Sequence, residues 1–174
     1  MTIQRCKWAE STPEMKYYHD KEYGFPVTDN DVIFERLMLE IYQAGLTWKL
    51  ILSKRKGFNQ AFHQYKIEKV ANMTDKELEK QKSNPNIVRN KLKIETTRHN
   101  AKLCLELIQE HGTLINYFES LPHQYSTLDE LKPTVKQMKK DGFKFIGPLI
   151  LEEFFLSIGI NKVRHEKTCF LYKK

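Results

Sequence analysis

Apolar residues recur at three- and four-residue spacings along most of this chain, and no segment alternates convincingly with period two. Such a chain must fold as helices packed on helices, because it offers no face on which a sheet could be buried. Asp29 or Asp31 suits the N-cap of a segment whose Ile33, Phe34, Leu37, Met38 and Ile41 form one stripe. Thr74, with Glu77 three residues later, has the pattern of a capping box opening another helix. Ala101, Leu103, Cys104, Leu105, Leu107 and Ile108 predict a long helix that Gly112 ends. Leu149, Ile150, Phe154, Phe155 and Ile158 predict a further helix closing at Gly159. The fold class expected is all-α. The 174 residues suit a single domain, 1–174, with ample material for a core. The stretch from Leu121 to Pro133, with two prolines and little periodicity, is expected to be a mobile connection between a longer N-terminal lobe and a C-terminal helical pair.

No apolar run approaches membrane-spanning length, so no membrane partner is expected. The first nine residues are polar and charged enough that no secretory signal is expected either, and a cytoplasmic protein follows. The formal net charge of +7 suits a polyanionic partner, since neutralising phosphates releases condensed counterions, although it also serves solubility alone.

Three cysteines in such a chain do not form a disulfide framework; they are core thiols, reactive thiols or metal ligands. His165 and Cys169 are spaced i, i+4, close enough to bind one ion from a helical turn, and Cys6 and His19 supply a second pair near the other end. An ion joining the pairs would tie down two termini that otherwise fray. Spacing alone leaves open a buried cysteine with incidental histidines. Cys104, among leucines, has the surroundings of a small core residue. His63, His99, His111 and His123 lack such partners and are expected to be solvated or hydrogen-bonded near the surface.

Between two helical patterns lies Lys139-Lys140-Asp141-Gly142-Phe143-Lys144-Phe145-Ile146-Gly147-Pro148. Gly142 suits a left-handed helix end, Pro148 the first position of the next helix, and Gly147 a close approach of backbone to a partner. The second helix would then aim free N–H groups at a phosphate, with Lys139, Lys140 and Lys144 around it. An ordinary tight connection with solvated lysines reads the same way.

The segment from Leu39 to Trp48 breaks the logic of a simple amphipathic helix. Glu40 interrupts an apolar stripe, and a carboxylate on a buried face is either paired or functional. Gly45 then opens a turn. Trp8, Tyr18, Tyr23, Tyr42 and Trp48 fall in the same N-terminal region, where they could wall a pocket or fill a core.

Taken together, the chain resembles the 3-methyladenine DNA glycosylase I family over nearly its whole length. The pieces that carry the resemblance are Arg5-Cys6-Lys7-Trp8, Tyr18 to Gly24, Glu40 to Trp48, Ile51 to Arg55, Pro85 to Ile94, Asn100-Ala101, Gly142 to Pro148, and the pair His165 and Cys169. The resemblance implies a helix-hairpin-helix DNA glycosylase fold, the hairpin motif lying around 134–159, with one structural zinc on Cys6, His19, His165 and Cys169. It implies Glu40 as the polar reader of a flipped base, Trp48 stacking on it, and Tyr18, Tyr23 and Trp8 lining the pocket. It implies Leu46, after Gly45, as the wedge filling the gap in the duplex, with Lys139, Lys140, Gly142, Lys144 and Gly147 at the DNA backbone. The expected partner is double-stranded DNA carrying alkylated bases, bound by a monomer in a bacterial cytoplasm, at the nucleoid.

The chemistry fits those side chains. A base methylated at N3 is cationic, so it leaves as a neutral molecule and needs no strong acid; aromatic faces and a carboxylate favour the cation. The wider superfamily places an aspartate after the hairpin helix, whereas Gly159 to His165 contains none, so neutral bases should be poor substrates. No lysine stands out as a Schiff-base nucleophile, and an abasic site without strand cleavage is expected. Several residues depart from the family pattern. Tyr23 stands where tryptophan is usual, Met15 near a position often aromatic, Arg164 before the His165 ligand, and Glu152 and Glu153 on a helix that tends to be neutral there. The segment from Leu114 to Thr134 is shortened and lacks a tryptophan. These changes leave room for a catalytically weak protein that binds distorted or alkylated duplex, or for a zinc-stabilised helical interaction module.

Overall fold

The computed structural model describes residues 3–172, and among them there are ten α-helices and no β-strand. In chain order the helices are α1 (Pro13–Lys21), α2 (Asn30–Gln43), α3 (Trp48–Ser53), α4 (Arg55–Ala61), α5 (Ile67–Ala71), α6 (Asp75–Gln81), α7 (Lys91–His111), α8 (Leu114–Ser120), α9 (Lys132–Asp141) and α10 (Pro148–Ser157). Short 3₁₀ turns at Lys7–Ser11, His63–Tyr65 and Leu128–Leu131 complete the chain path.

The helix boundaries follow local chemistry. Asp29, not Asp31, caps α2 by accepting from the Val32 N–H at 3.0 Å. Asp31 instead accepts from the Ile67 N–H and from Lys66 at the start of α5. Thr74 and Glu77 form the reciprocal capping box of α6. Gly112 ends α7 at φ +82°, and Gly159 follows α10 at φ +77°. The connection from Leu121 is shorter than its prolines suggest: Leu128–Leu131 forms a 3₁₀ turn packed on α10, and Pro133 lies inside the first turn of α9, where its missing N–H costs nothing. Residues 165–169 form an irregular turn closed by the Cys169 N–H on the Glu166 carbonyl, not a turn of helix.

α2 is the axis of the molecule. It touches α3, α5, α7, α8 and α10, and Ile33, Phe34, Met38, Leu39, Ile41 and Tyr42 are fully buried. An apolar stripe alone would expose the opposite side; here neighbours on every side bury Arg36 and Glu40 as well. α7 lies against it, with the Tyr42 hydroxyl 3.0 Å from the Thr97 hydroxyl. Lys93, buried on α7, donates from Nζ to the Tyr42 and Ala44 carbonyls at 3.2 and 3.1 Å, satisfying acceptors left open at the end of α2. Cys104 is fully buried in the same core, as its leucine neighbours suggest.

The loop at Pro85-Asn86 is drawn tightly onto α4. Lys54 donates to the Pro85 carbonyl at 2.9 Å, and the Asn86 backbone sits directly over Gly57. A Cβ at Gly57 would lie 2.8 Å from the Asn86 Cβ and closer still to its carbonyl oxygen. Gly57→Ala is therefore expected to destabilise the protein by about 2 kcal/mol through overpacking. Helix propensity alone would give a gain of roughly 1 kcal/mol. Urea denaturation decides between the two by the sign of the change.

Candidate active site and metal centre

A cavity of about 390 Å³ opens between α1, the end of α2, the start of α3 and the first turns of α10. That is within the range of about 300–1,000 Å³ common for small-molecule sites. Trp8, Met15, Tyr18, Tyr23 and Trp48 supply its aromatic and apolar walls, and Glu40, Gln43, Leu149 and Glu153 complete the lining. The rings support one another: Tyr18 lies 5.1 Å from Trp48 and 5.6 Å from Tyr23, and Trp8 meets Tyr23 edge-on at 5.4 Å. Met15, Tyr18 and Leu52 form a small apolar cluster of their own beneath the cavity, apart from the main core. All five pocket residues expected from sequence are thus brought together. Tyr42 is not among them; it is fully buried against Phe58, Phe62 and Thr97. Leu149, on the outer side of α10's first turn, is 61% exposed at the cavity.

Glu40 is only 4% exposed, and burial pushes its carboxyl well above the usual carboxylate range. Glu153 raises it further by like charge, while Arg36 opposes the shift. Arg36 does not neutralise Glu40 by direct pairing. Its guanidinium binds Glu22 at 3.2 Å and the Ser157 carbonyl at 3.4 Å, and it lies over the Tyr18 ring at 5.3 Å. Glu22 in turn binds Arg55 at 2.6 Å, and Arg55 binds Glu35 at 2.9 Å. This half-buried network holds α2 to α4 and the end of α1, and it fixes the position of Arg36 beneath the cavity. Three polar atoms around the cavity are buried without a partner, the Tyr18 hydroxyl, the Trp48 indole N–H and Arg36 Nε. A cavity with a buried carboxyl group that lacks a direct cationic partner, aromatic faces and free polar atoms is suited to a flat cationic guest.

The turn at the end of α2 is held by Lys93, which donates to the Tyr42 and Ala44 carbonyls. Gly45 follows at φ +81°, and Leu46 projects with 38% exposure before Thr47 caps α3 through the Leu50 N–H. Lys93 was not singled out by sequence; its only signal is a lysine within the pattern of a long buried helix. At the hairpin, Gly142 takes the left-handed conformation at φ +116° and the Phe143 N–H returns to the Met138 carbonyl at 3.0 Å. Asn100 on α7 braces the hairpin by accepting from the Lys144 N–H at 3.2 Å and donating to its carbonyl at 3.4 Å. His99 bonds the Gly142 carbonyl at 2.8 Å, a role that its sequence surroundings did not indicate. Phe145 is left-handed at φ +60° and exposed, a conformation costly for a side chain with a Cβ. Gly147 has open space where a Cβ would stand, and Pro148 begins α10. Lys139, Lys140 and Lys144 are exposed.

The two ends of the described chain meet at Cys6, His19, His165 and Cys169, whose ligand atoms all lie within 4.8 Å of one another. Cys6 Sγ is 3.5 Å from His165 Nδ1, and Cys169 Sγ is 3.4 Å from His19 Nε2 and 3.8 Å from His165 Nδ1. Four soft ligands at such separations could hold one metal ion. His19 is oriented for it, since its Nδ1 meets Asp20 at 2.8 Å and Asp20 receives a bidentate bond from Arg5. Burial pushes the Cys6 thiol up to about 11, so a thiolate there requires a cation beside it. Burial and the neighbouring His19 hold His165 below its ordinary value, in the neutral form that binds metals. Trp8 packs on His19 at 5.3 Å, linking this cluster to the wall of the cavity.

Comparison with known proteins places this architecture. The methyladenine glycosylase family matches residues 8–172. DNA-3-methyladenine glycosylase 1 of Escherichia coli is 33% identical over 171 residues, which span 91% of each chain. A DNA-3-methyladenine glycosylase of Haemophilus influenzae is 33% identical over 90% of this chain and 91% of its own. The structure of 3-methyladenine DNA glycosylase I from Staphylococcus aureus, solved to explain recognition of 3-methyladenine, superposes with a TM-score of 0.86 at 29% identity, covering 100% of this chain and 99% of that one.

Arg36→Met should cost about 3 kcal/mol, because it removes a buried guanidinium from the half-buried Glu22 and with it the one cation that opposes the shift of Glu40. Chemical denaturation measures the loss; an unchanged midpoint would mean that Arg55 alone satisfies Glu22.

Proposed function

The chain belongs to the methyladenine glycosylase family, and from that premise we infer that it is a monofunctional DNA glycosylase of base-excision repair, hydrolysing the N-glycosidic bond of 3-methyladenine in alkylated DNA and leaving an abasic site. The observation that carries this to the cavity is Glu40, a buried carboxylate without a direct cationic partner among aromatic rings. A base that has left the stack already carries positive charge when N3 is methylated. Glu40 favours it by charge and accepts from its exocyclic amino group. Trp48 stacks on it, and Trp8, Tyr18 and Tyr23 close the remaining walls. As water attacks the sugar carbon, the glycosidic electron pair passes to the base and neutralises it, while the water proton goes to solvent. The leaving group needs no proton, so the task of the pocket is to hold and orient the cation and to exclude bulk water. A neutral base gains nothing from this arrangement.

DNA contact is assigned to two features. Leu46 on the Gly45 turn is the wedge that fills the gap left by the flipped base, a role its exposure on a braced turn supports. The hairpin, with Gly142, Gly147 and the first N–H groups of α10, takes a phosphate, and Lys139, Lys140 and Lys144 add counterion-releasing charge. Cys6, His19, His165 and Cys169 hold one structural zinc. A tetrahedron with Zn–S near ~2.3 Å and Zn–N near ~2.0 Å has S···N edges of roughly 3.5 Å, which agrees with the separations of these ligand atoms. The zinc joins the two ends of the chain and holds Trp8 at the cavity through His19. The whole chain acts as one domain and a monomer, and its reduced cysteines suit the cytoplasm.

Incubation with methylated duplex, with the freed bases separated and identified, tests the activity. Wild type should release 3-methyladenine, and Glu40→Gln should release it at least about 100-fold more slowly while keeping its melting temperature and its affinity for undamaged duplex. Release unaffected by the substitution would remove Glu40 from the reaction. No release by folded wild type that still binds DNA would leave a binding protein. Cys169→Ser should carry less than one zinc per chain and melt at a lower temperature, since chelation energy is part of the folding energy of such a site. A wild-type protein without zinc would contradict the metal assignment.

A further inference from the structure

Glu153 is the second carboxylate of the cavity, and it enters from a different element than Glu40. It lies on α10 one turn after Leu149, so both residues present the same helix face to the pocket. Its neighbour Glu152 is directed elsewhere, accepting from the Tyr125 hydroxyl at 3.0 Å. The Tyr23 hydroxyl donates to Glu153 at 3.3 Å, across 130 residues of sequence. Tyr23 and Glu153, two departures from the family pattern named from sequence, are therefore a single hydrogen-bonded pair in one pocket wall.

We propose that Glu153, held by Tyr23, is a second charge-reading residue that widens the cavity's preference for cationic over neutral bases. The proposal rests on the base-pocket role assigned to the cavity above. A carboxylate placed against a cation in a partly desolvated site contributes Coulomb energy that a neutral guest of the same shape cannot collect. Burial, aided by Glu152, holds the Glu153 carboxyl above its ordinary value, and the hydrogen bond from the Tyr23 hydroxyl opposes that shift. Glu40 and Glu153 each raise the cost of charging this pocket while it lacks a cation, and a cationic guest relieves both. Glu153 then acts on which base is held, not on which bond breaks.

The protein carries its own reporter. Its two tryptophans, Trp8 and Trp48, both line the cavity, so quenching of their fluorescence reads occupancy of this site. The probes are 3,9-dimethyladeninium, a fixed cation, and free 3-methyladenine in mildly alkaline buffer, where it is neutral. Wild type should prefer the cation. Glu153→Gln should weaken the cation by about tenfold and the neutral base by less than about threefold, a difference in charge reading and not in shape. Glu153→Asp, which keeps the charge, should retain the preference to within about threefold of wild type. Equal losses for both probes in the glutamine variant, no loss at all, or an aspartate variant as indifferent as the glutamine one would overturn the proposal. Wild type that binds both probes equally would overturn it too. Wild type that binds neither would remove the base-pocket role and this proposal with it, an outcome distinct from the others.

Discussion

Glu40 sits in the wall of the most buried helix of the molecule, and its carboxylate has no cation in direct contact. Ionising a carboxyl in such a place is unfavourable, which raises its titration, and packing must hold the side chain there. α2 is buried on every side, Arg36 lies close enough to oppose the shift but is bound to Glu22, and the helix end is closed by Lys93. Each of these features keeps Glu40 from turning to solvent or taking a permanent partner. The result is a cavity in which a cationic guest would favour the ionised form of Glu40.

The Cys6, His19, His165 and Cys169 group serves the same cavity from outside. Trp8 and Tyr18 stand beside His19 and would be only as ordered as the chain end that carries them. An ion held by these four residues would join the first and last parts of the chain and stiffen this wall. Asp20 and Arg5 extend this rigidity by holding His19 in one orientation. The hairpin is braced in a comparable way, by Asn100 and His99 on α7, which itself packs on α2. The aromatic cavity, the Gly45 turn and the hairpin thus hang from the α2–α7 pair.

Much of this was legible in the chain. The stripe from Ile33 to Ile41 marks α2, and Glu40 stood out as a carboxylate interrupting it. Thr74 with Glu77, Gly112, Gly142 and Pro148 mark boundaries by chemistry that acts within a few residues, and those boundaries are where expected. What depends on distant partners was not legible. Periodicity cannot say that Arg36 pairs with Glu22, that Lys93 reaches the end of α2, or that Asn86 presses on Gly57. Glu153 could be recognised as unusual on its helix, but its place beside Tyr23 follows only from the approach of α10 to the end of α1. The helical turn expected at His165 to Cys169 is an irregular one, because the spacing of two ligands constrains their separation and leaves the backbone between them free.

Glu40, buried without a direct cationic partner, is what makes the cavity a receptor for a cationic base, because only such a guest favours its ionised form. An NMR titration of the Glu40 side-chain carboxyl carbon, with and without 3,9-dimethyladeninium, tests it directly. In the free protein Glu40 should titrate well above the usual carboxylate range, and saturation with the cation should bring it down toward or below that range. A Glu40 that titrates normally in the free protein, or that does not respond to the cation, would contradict the account.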